Sequence, residues 1–436
     1  MPPLKHFIWS FLGLSIPALV ALVSVPELIN TIGYERFGLL GLAWSITSIG
    51  GMLDLGMGRS AVYFVSRGLA ESDDKGIDDY LNSTVQISLF AGCVTAISLI
   101  LAASSGIYFS LKLEDTPHSE VFHALLMLAI LMPIQAVSSS LRGANEAFSQ
   151  FPIIAIVRTI NGCLTFLSPL LVSKFTFNLA ALLLPLCLAR FFVFFVFMLT
   201  ARRAAILHGV RNPFAKVFER YDGVVGKQVM IYGGWTSISA VVSPMMVQGD
   251  RFFIGVALSG TLLGFYTISQ EIIGQTLIVV GAVGTVIFPL LSRNSGASDS
   301  PSMTALLSLT KILLPLFLTL YTIVYFALPQ FFEYWMPDVD PVVITISRIL
   351  CFGALFNSIA GLSFAEIQSR GRSDVTAKAH LLELPLFAIS LITIVPSGGL
   401  VAAALLWSSR AFIDCCILWG WLVFESRTPA VEEGAA

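Results

Sequence analysis

Residues 178–200 read NLAALLLPLCLARFFVFFVFMLT. As a helix rising 1.5 Å per residue, this stretch is about 34 Å long, enough to cross the ~30 Å hydrocarbon core of a bilayer. It holds one charged side chain, Arg190, near its middle. A soluble core helix of this length shows a polar stripe, and this one has none. Apolar runs of the same kind recur along the chain. The expected spans are 7–29, 38–66, 81–107, 120–141, 151–173, 178–200, 229–255, 261–290, 305–327, 341–367, 377–396 and 399–423. Ser397-Gly398-Gly399 is the turn between the last two. The reading is an all-α polytopic membrane protein of about twelve transmembrane helices.

Composition agrees. Of 436 residues, 56% are apolar and only 12% charged, against about 25% charged in soluble domains; mean hydropathy is +0.84. This excludes an ordinary soluble enzyme, a disordered chain and a disulfide-stapled domain. A net charge of −2 without a basic run excludes a nucleic-acid binder. Cys93, Cys163, Cys187, Cys351, Cys415 and Cys416 sit in apolar runs without C-x-x-C spacing, as small core hydrophobes do. The first apolar run, after Lys5 and His6, is too long for a signal sequence and reads as the first helix.

Basic residues set the orientation. With the N-terminus in the cytoplasm, sixteen fall on that side: Lys5, Arg59, Arg67, Lys75, Arg142, Arg202, Arg203, Arg211, Lys216, Arg220, Lys227, Arg293, Arg370, Arg372, Lys378 and Arg427. Arg36, Lys112, Lys174 and Arg251 fall on the other. Both termini are therefore expected in the cytoplasm. The largest polar stretch divides the chain into a lobe at 1–203, a basic linker at 204–228 and a lobe at 229–436 with a short tail. Six helices per half make the halves parallel repeats. Phe37-Gly38-Leu39 after span one echoes Leu263-Gly264-Phe265-Tyr266 after span seven. Glu146 with Arg158 echoes Glu366 with Lys378, twelve residues apart in each case.

No loop is large enough to fold alone, and the P-loop, H-E-x-x-H and G-x-S-x-G signatures are absent, so the chain reads as no enzyme. Its five histidines lack metal-ligand spacing, and no metal or cofactor is expected. Asp338-Val339-Asp340 reads as a solvated turn. The informative residues are charges inside apolar runs, which cost at least ~2.5–3.5 kcal/mol each and so face a polar cavity or one another. Arg59, Arg158, Arg190, Arg348 and Arg410 are the candidate cavity cations, and Lys311 is another deep base. Asp54, Glu271 and Asp414 are the candidate ion-coupling acids. Asp250, Arg251 and Glu146 are candidate gate residues. Asp414 follows Arg410 by one helical turn, so the two share a face and an internal ion pair is the alternative. In Leu53-Asp54-Leu55-Gly56-Met57-Gly58-Arg59-Ser60, the glycines allow a backbone or a bulky ligand to come close. Deep bases outnumber deep acids, which suits an anionic substrate, since the guanidinium fork binds phosphate oxygens in pairs.

Gly33-Tyr34-Glu35-Arg36-Phe37-Gly38-Leu39-Leu40 with Trp44, and the Leu53–Arg59 motif, resemble the N-terminus of polysaccharide-repeat (O-antigen, Wzx-type) flippases of the multidrug/oligosaccharidyl-lipid/polysaccharide exporter superfamily. Leu141-Arg142-Gly143-Ala144-Asn145-Glu146-Ala147-Phe148 and Asp250-Arg251-Phe252-Phe253-Ile254-Gly255 fit the same pattern. The resemblance implies two six-helix lobes forming a V around a central cavity in a bacterial inner membrane. It implies a cargo of sugar repeats on undecaprenyl pyrophosphate, carried to the periplasmic leaflet by alternating access and driven by H+ or Na+. Asp54 and Arg59 match its second-helix motif, Asp250 and Arg251 the seventh, and Glu146 the fourth-helix corner. Arg190, Arg348 and Arg410 match none. In this reading the arginines hold pyrophosphate, the polyprenyl tail stays in lipid, and protonation of Asp54 or Glu271 biases the rocking of one lobe. The expected partners are the bilayer, the lipid-linked oligosaccharide, and the polymerase and chain-length machinery. The alternatives are a multidrug/cation antiporter, which wants a cavity rich in carboxylates and aromatics, and a polysaccharide polymerase or ligase, which wants a large external loop.

Overall fold

The computed structural model describes residues 3–71, 74–210, 212–218, 222–294, 301–370 and 372–427. Arg211 and Arg220 lie outside the described residues, as do the side chains of Lys5, Arg293 and Arg427. The described elements are helical throughout: α1 (Pro3–Met52), α2 (Met57–Glu71), α3 (Asp74–Ser104), α4 (His118–Ala147), α5 (Phe151–Ser173), α6 (Leu179–Leu207), α7 (Gly223–Gln248), α8 (Asp250–Ala257), α9 (Gly260–Asn294), α10 (Pro301–Trp335), α11 (Pro341–Ser369) and α12 (Ser373–Arg427), with a 3-10 turn at Ile107–Ser110.

Among the described residues, eight helical stretches are long and apolar enough to span a bilayer. Two of them, Ser15–Glu71 with 57 residues and Asp374–Glu425 with 52, are far longer than one crossing of about 20 requires. Each breaks at a glycine with positive φ, Gly33 (φ 81°) and Gly399 (φ 63°), a conformation that a Cβ makes costly. Counted as two crossings each, these stretches bring the number to ten. The helices α7 and α9 occupy the positions of spans seven and eight. The membrane-spanning layout expected from the sequence is thus present.

Two details differ from the expectation. The connection between spans one and two is a one-residue break at Gly33 rather than a connector at 30–37. Span two is not one helix over 38–66: the helix stops at Met52 and restarts at Met57, with Leu55 (φ 56°) and Gly56 (φ 74°) left-handed between them. Apolar periodicity does not register a four-residue break when both flanks stay greasy.

Contacts group the chain into two compact units, Met1–Ile268 and Ser269–Ala436. In the first, α4 is the hub, packing on α1, α2, α3 and α6, while α7 packs on α1, α2 and α3. The expected division at 204–228 follows polarity. The contact boundary at 268 follows packing, which places α7 and α8 with the first unit. Small residues set the helix spacing: a Cβ on Gly143 of α4 would lie 2.0 Å from the Gly58 carbonyl of α2. In lipid, where apolar burial gives helices no mutual attraction, such contact is what holds them. In the second unit, α11 packs on α10 and on α12. Asp340 caps α11, its Oδ1 accepting from Val342 N at 2.8 Å, with Pro341 in the first turn. Leu199 (63% exposed), Ile323 (62%) and Phe326 (65%) point outward, as lipid-facing side chains do.

Candidate functional site

The first unit holds a cavity of about 490 Å³ lined by Phe64, Arg67, Gly68 and Glu71 of α2, Tyr80 of α3, and Gln228, Ile231 and Tyr232 of α7. Three helix ends converge there, joined by a hydrogen bond from Ser60 Oγ to Val229 O (3.1 Å). Aromatic rings build its wall. Phe64 stacks on Tyr80 at 4.6 Å, Tyr63 on Tyr232 at 4.3 Å, and Phe64 meets Tyr232 edge-on at 5.6 Å. Polar groups edge it: Arg67 Nε donates to Glu71 Oε1 (2.8 Å) and Tyr80 Oη to Gln228 Oε1 (3.4 Å). Arg59, exposed, lies within electrostatic range of Tyr232. Aromatic faces with a few polar groups are the usual lining of small-molecule sites.

The polar stretch before α7 is tied to the same end of α3. Gln86 Nε2 donates to the carbonyls of Lys216 (3.0 Å) and Val217 (3.1 Å), and Lys216 N donates to Asn82 Oδ1 (3.1 Å). Lys216 Nζ reaches Asp79 at 2.8 Å and Asp78 at 3.4 Å. The Asp79 hydrogen bond and the two negative charges raise the pKa of the Lys216 ammonium. The cavity therefore opens at the end of the helices that carries this basic stretch. Of its lining residues the sequence marked only Arg67, as one of the cytoplasmic bases, because aromatics in greasy helices are ordinary and only packing converges them.

Asp54 lies in the α1–α2 break, 5% exposed. Its Oδ1 accepts from Gly56 N and its Oδ2 from Gly58 N, each at 2.9 Å, and Ser139 of α4 adds a side-chain hydrogen bond. It caps the start of α2. The close approach that the glycines allow is by another backbone, that of α4. Glu146 pairs with Arg142 at 3.7 Å, and Arg158 is exposed within electrostatic range of both.

Asp250 (0% exposed) and Arg251 (5%) are buried together. Asp250 Oδ2 accepts from Tyr266 Oη at 2.6 Å and Oδ1 from Arg251 N at 2.9 Å, while Arg251 Nη1 donates to Gly41 O at 2.9 Å. They join α1, α8 and α9. The two echoed motifs meet beside them: a Cβ on Gly264 would lie 2.1 Å from Tyr34 O, and one on Gly38 would lie 2.6 Å from Gly264 N. Nearby, Glu35 accepts from the N–H groups of Glu114 (2.5 Å), Thr116 (2.6 Å) and Asp115 (3.2 Å). Glu35, part of the Gly33–Leu40 motif, thus holds the 114–116 backbone. Its signal, an acid at the end of a span, is shared by too many surface acids to be decisive.

Among the described residues Arg190 makes no salt bridge. Arg348 is held on α10, its Nε donating to Tyr325 O at 3.3 Å and its guanidinium 4.9 Å from the Tyr325 ring centre. Glu271 is half-buried on α9 and Lys311 exposed on α10. Asp414 meets His380 from the other arm of α12, at 3.5 Å. Arg410 lies over Phe387 and Trp407, 5.9 and 5.8 Å from their ring centres. Glu366 pairs with Arg370 (2.9 Å) and Lys378 with Asp374 (3.0 Å), so the Glu366–Lys378 echo is not a contact pair.

The sequence matches a family described as "Polysaccharide biosynthesis protein" over residues 4–295. It is 26% identical over 426 residues to a Shigella flexneri protein named "Putative O-antigen transporter", covering 97% of this chain and 98% of that protein. Among solved structures, an inward-facing multidrug resistance MATE family transporter of the MOP superfamily superposes with a TM-score of 0.75 at 13% identity, over 96% of this chain and 98% of that one. A Pyrococcus furiosus MOP superfamily transporter, described as having a binding pocket of reversed polarity, superposes with a TM-score of 0.66 at 12% identity, over 97% and 96%. These structural likenesses establish a shared fold.

Proposed function

Because the chain belongs to the polysaccharide biosynthesis protein family, we propose that it translocates lipid-linked sugar repeat units across a bacterial inner membrane. It is a multi-pass membrane transporter and not an enzyme. The observation that carries the proposal is near-full-length similarity to a protein named as an O-antigen transporter. The finer reading is a flippase for repeats on undecaprenyl pyrophosphate, moving them from the cytoplasmic to the periplasmic leaflet by ion-coupled alternating access, with both termini in the cytoplasm. Polymerase and chain-length proteins are its expected neighbours.

The aromatic cavity gives this reading a place for the headgroup. Sugar rings present C–H faces that pack on Phe64, Tyr80 and Tyr232, while their hydroxyls suit Gln228 and Glu71. Arg67 and Arg59 supply positive charge for pyrophosphate at the same end. Arg190 is a further candidate, since among the described residues it makes no salt bridge. Arg158 follows as a secondary contact in the first unit, and Arg348 and Arg410 remain candidate cations within the Ser269–Ala436 unit. Asp54, Glu271 and Asp414 remain the candidate coupling acids of this proposal, and Asp250, Arg251 and Glu146 its gate positions.

The test is transfer of lipid-linked repeats across proteoliposomes. Tyr232→Ala and Arg59→Ala are each expected to lower the initial rate about tenfold, the equivalent of roughly 1.4 kcal/mol, with Arg190→Ala similar. Rates unchanged in all three overturn the placement. Export that proceeds normally in cells lacking this protein overturns the cargo.

A further inference from the structure

The two arms of α12, before and after Gly399, bring four ionisable side chains together inside the Ser269–Ala436 unit. His380 and Glu383 come from the first arm, Arg410 and Asp414 from the second. Spacings of three and four residues put each pair on one helical face. All are covered by protein, at 3%, 5%, 6% and 7% exposure. His380 Nε2 lies 3.5 Å from Asp414 Oδ1, and the Phe364 ring of α11 stacks parallel to the imidazole at 6.1 Å. Glu383 interacts electrostatically with both Asp414 and Arg410, and among the described residues neither of its oxygens has a hydrogen-bond partner. Glu383 is ten residues into the first arm, about 15 Å along the helix, and Asp414 is about 20 Å from the end of the second. Within the expected spans 377–396 and 399–423, Glu383 is about 9 Å and Asp414 about 14 Å from the cytoplasmic edge, so the cluster lies inside the ~30 Å hydrocarbon core.

Charge counting then decides what the cluster binds. Arg410 contributes a fixed positive charge, and Glu383 and Asp414 two negative ones. With His380 neutral the sum is −1. Among the described residues, the surrounding charges have partners of their own. At the nearby helix ends three bases (Arg370, Arg372, Lys378) pair with three acids (Glu366, Asp374, Glu425) in a connected network. On the packed face of α11, Arg348 is turned onto Tyr325 of α10, and Gly353 abuts Trp407 and Ser408. Among the described residues, the Cys415 thiol lies within electrostatic range of Asp414. A net charge at this depth costs several kcal/mol, and one added proton removes it. A metal ion suits the cluster less well. The guanidinium repels it, and among the described residues no three His, Cys, Asp or Glu side chains converge as a ligand set.

We propose that His380, Glu383, Asp414 and Arg410 form a binding site for a single proton, carried by one of the two carboxylates or by the imidazole and limited to one by the arginine. The site stands on its own geometry. Its use as the coupling site, with H+ as the ion, rests on the transporter reading above.

The experiment is acid-minus-base infrared difference spectroscopy on the full chain in lipid, without substrate, which reads carboxylic C=O and imidazole bands together. The wild type is expected to show one titrating group that is lost or moved in at least one of Glu383→Gln, Asp414→Asn and His380→Asn. Gln and Asn mimic the protonated acids, and size-exclusion profiles in detergent establish that the variants fold. Wild-type difference spectra in all three variants, or a wild type with no titrating band, overturn the site. In a second arm, the pH dependence of repeat translocation is measured. If Glu383→Gln loses the spectral band but keeps the wild-type pH profile, the coupling role falls while the proton site stands. If the wild type moves no repeats, the transporter reading falls and the spectrum is unaffected.

Discussion

At the scale of single residues, this protein uses its acids in very different ways. Glu35 is 5% exposed and receives three backbone N–H groups. Hydrogen bonds to a charged group contribute about 1.5–3 kcal/mol each, and losing a buried acceptor adds the cost of stranded donors. Glu35→Ala is therefore expected to lower unfolding stability by at least about 2 kcal/mol. Glu146 sits in an exposed pair with Arg142 on one helix, and Glu146→Gln is expected to cost less than about 0.5 kcal/mol. Both are measured by denaturant unfolding in detergent followed by tryptophan fluorescence; equal losses contradict the assignment. Gly264 belongs with Glu35. A methyl group there collides with the Tyr34 carbonyl, and Gly264→Ala is expected to destabilise by about 1–3 kcal/mol.

At the scale of elements, the breaks matter more than the helices. Asp54 binds two N–H groups at the start of α2. An asparagine caps a helix nearly as well as an aspartate, whereas alanine loses about 1 kcal/mol. Asp54→Asn is thus expected to retain stability and Asp54→Ala to lose it, both read as melting temperature in detergent. Translocation kinetics add what stability cannot show. If Asp54→Asn folds as the wild type does yet loses the pH dependence of transport, the charge itself takes part in coupling. If the profile is unchanged, the carboxylate serves the helix break alone. Gly399 sits in a similar break, and Gly399→Ala imposes a side chain on φ 63°. That substitution is expected to cost about 1 kcal/mol or more and to disturb how the two arms of α12 meet.

At the scale of the whole molecule, the fold is shared by transporters with different cargoes, so shape alone does not select one. The multidrug reading and the lipid-linked sugar reading predict opposite outcomes in one pair of measurements. Cells expressing this chain are expected to show no increase in cationic dye efflux. Cells lacking it are expected to accumulate lipid-linked repeats. Efflux that rises with expression, together with normal repeat export, would favour the antiporter.

The twelve crossings were legible because the length and greasiness of a segment are local properties that the bilayer reads directly. The same holds for the basic stretch before α7 and for the motifs around Gly38, Asp54 and Asp250. The sequence also marked the costly charges, Arg190, Arg410 and Asp414 among them, since any charge in an apolar run stands out. It did not reveal which groups meet. That Phe64, Tyr80 and Tyr232 wall one cavity, that Gly38 touches Gly264, and that Asp414 faces His380 rather than solvent depend on helices distant in sequence. Only the tertiary structure decided those neighbours, because close packing joins side chains by position in space, and spacing along the chain records no more than the face on which each one stands.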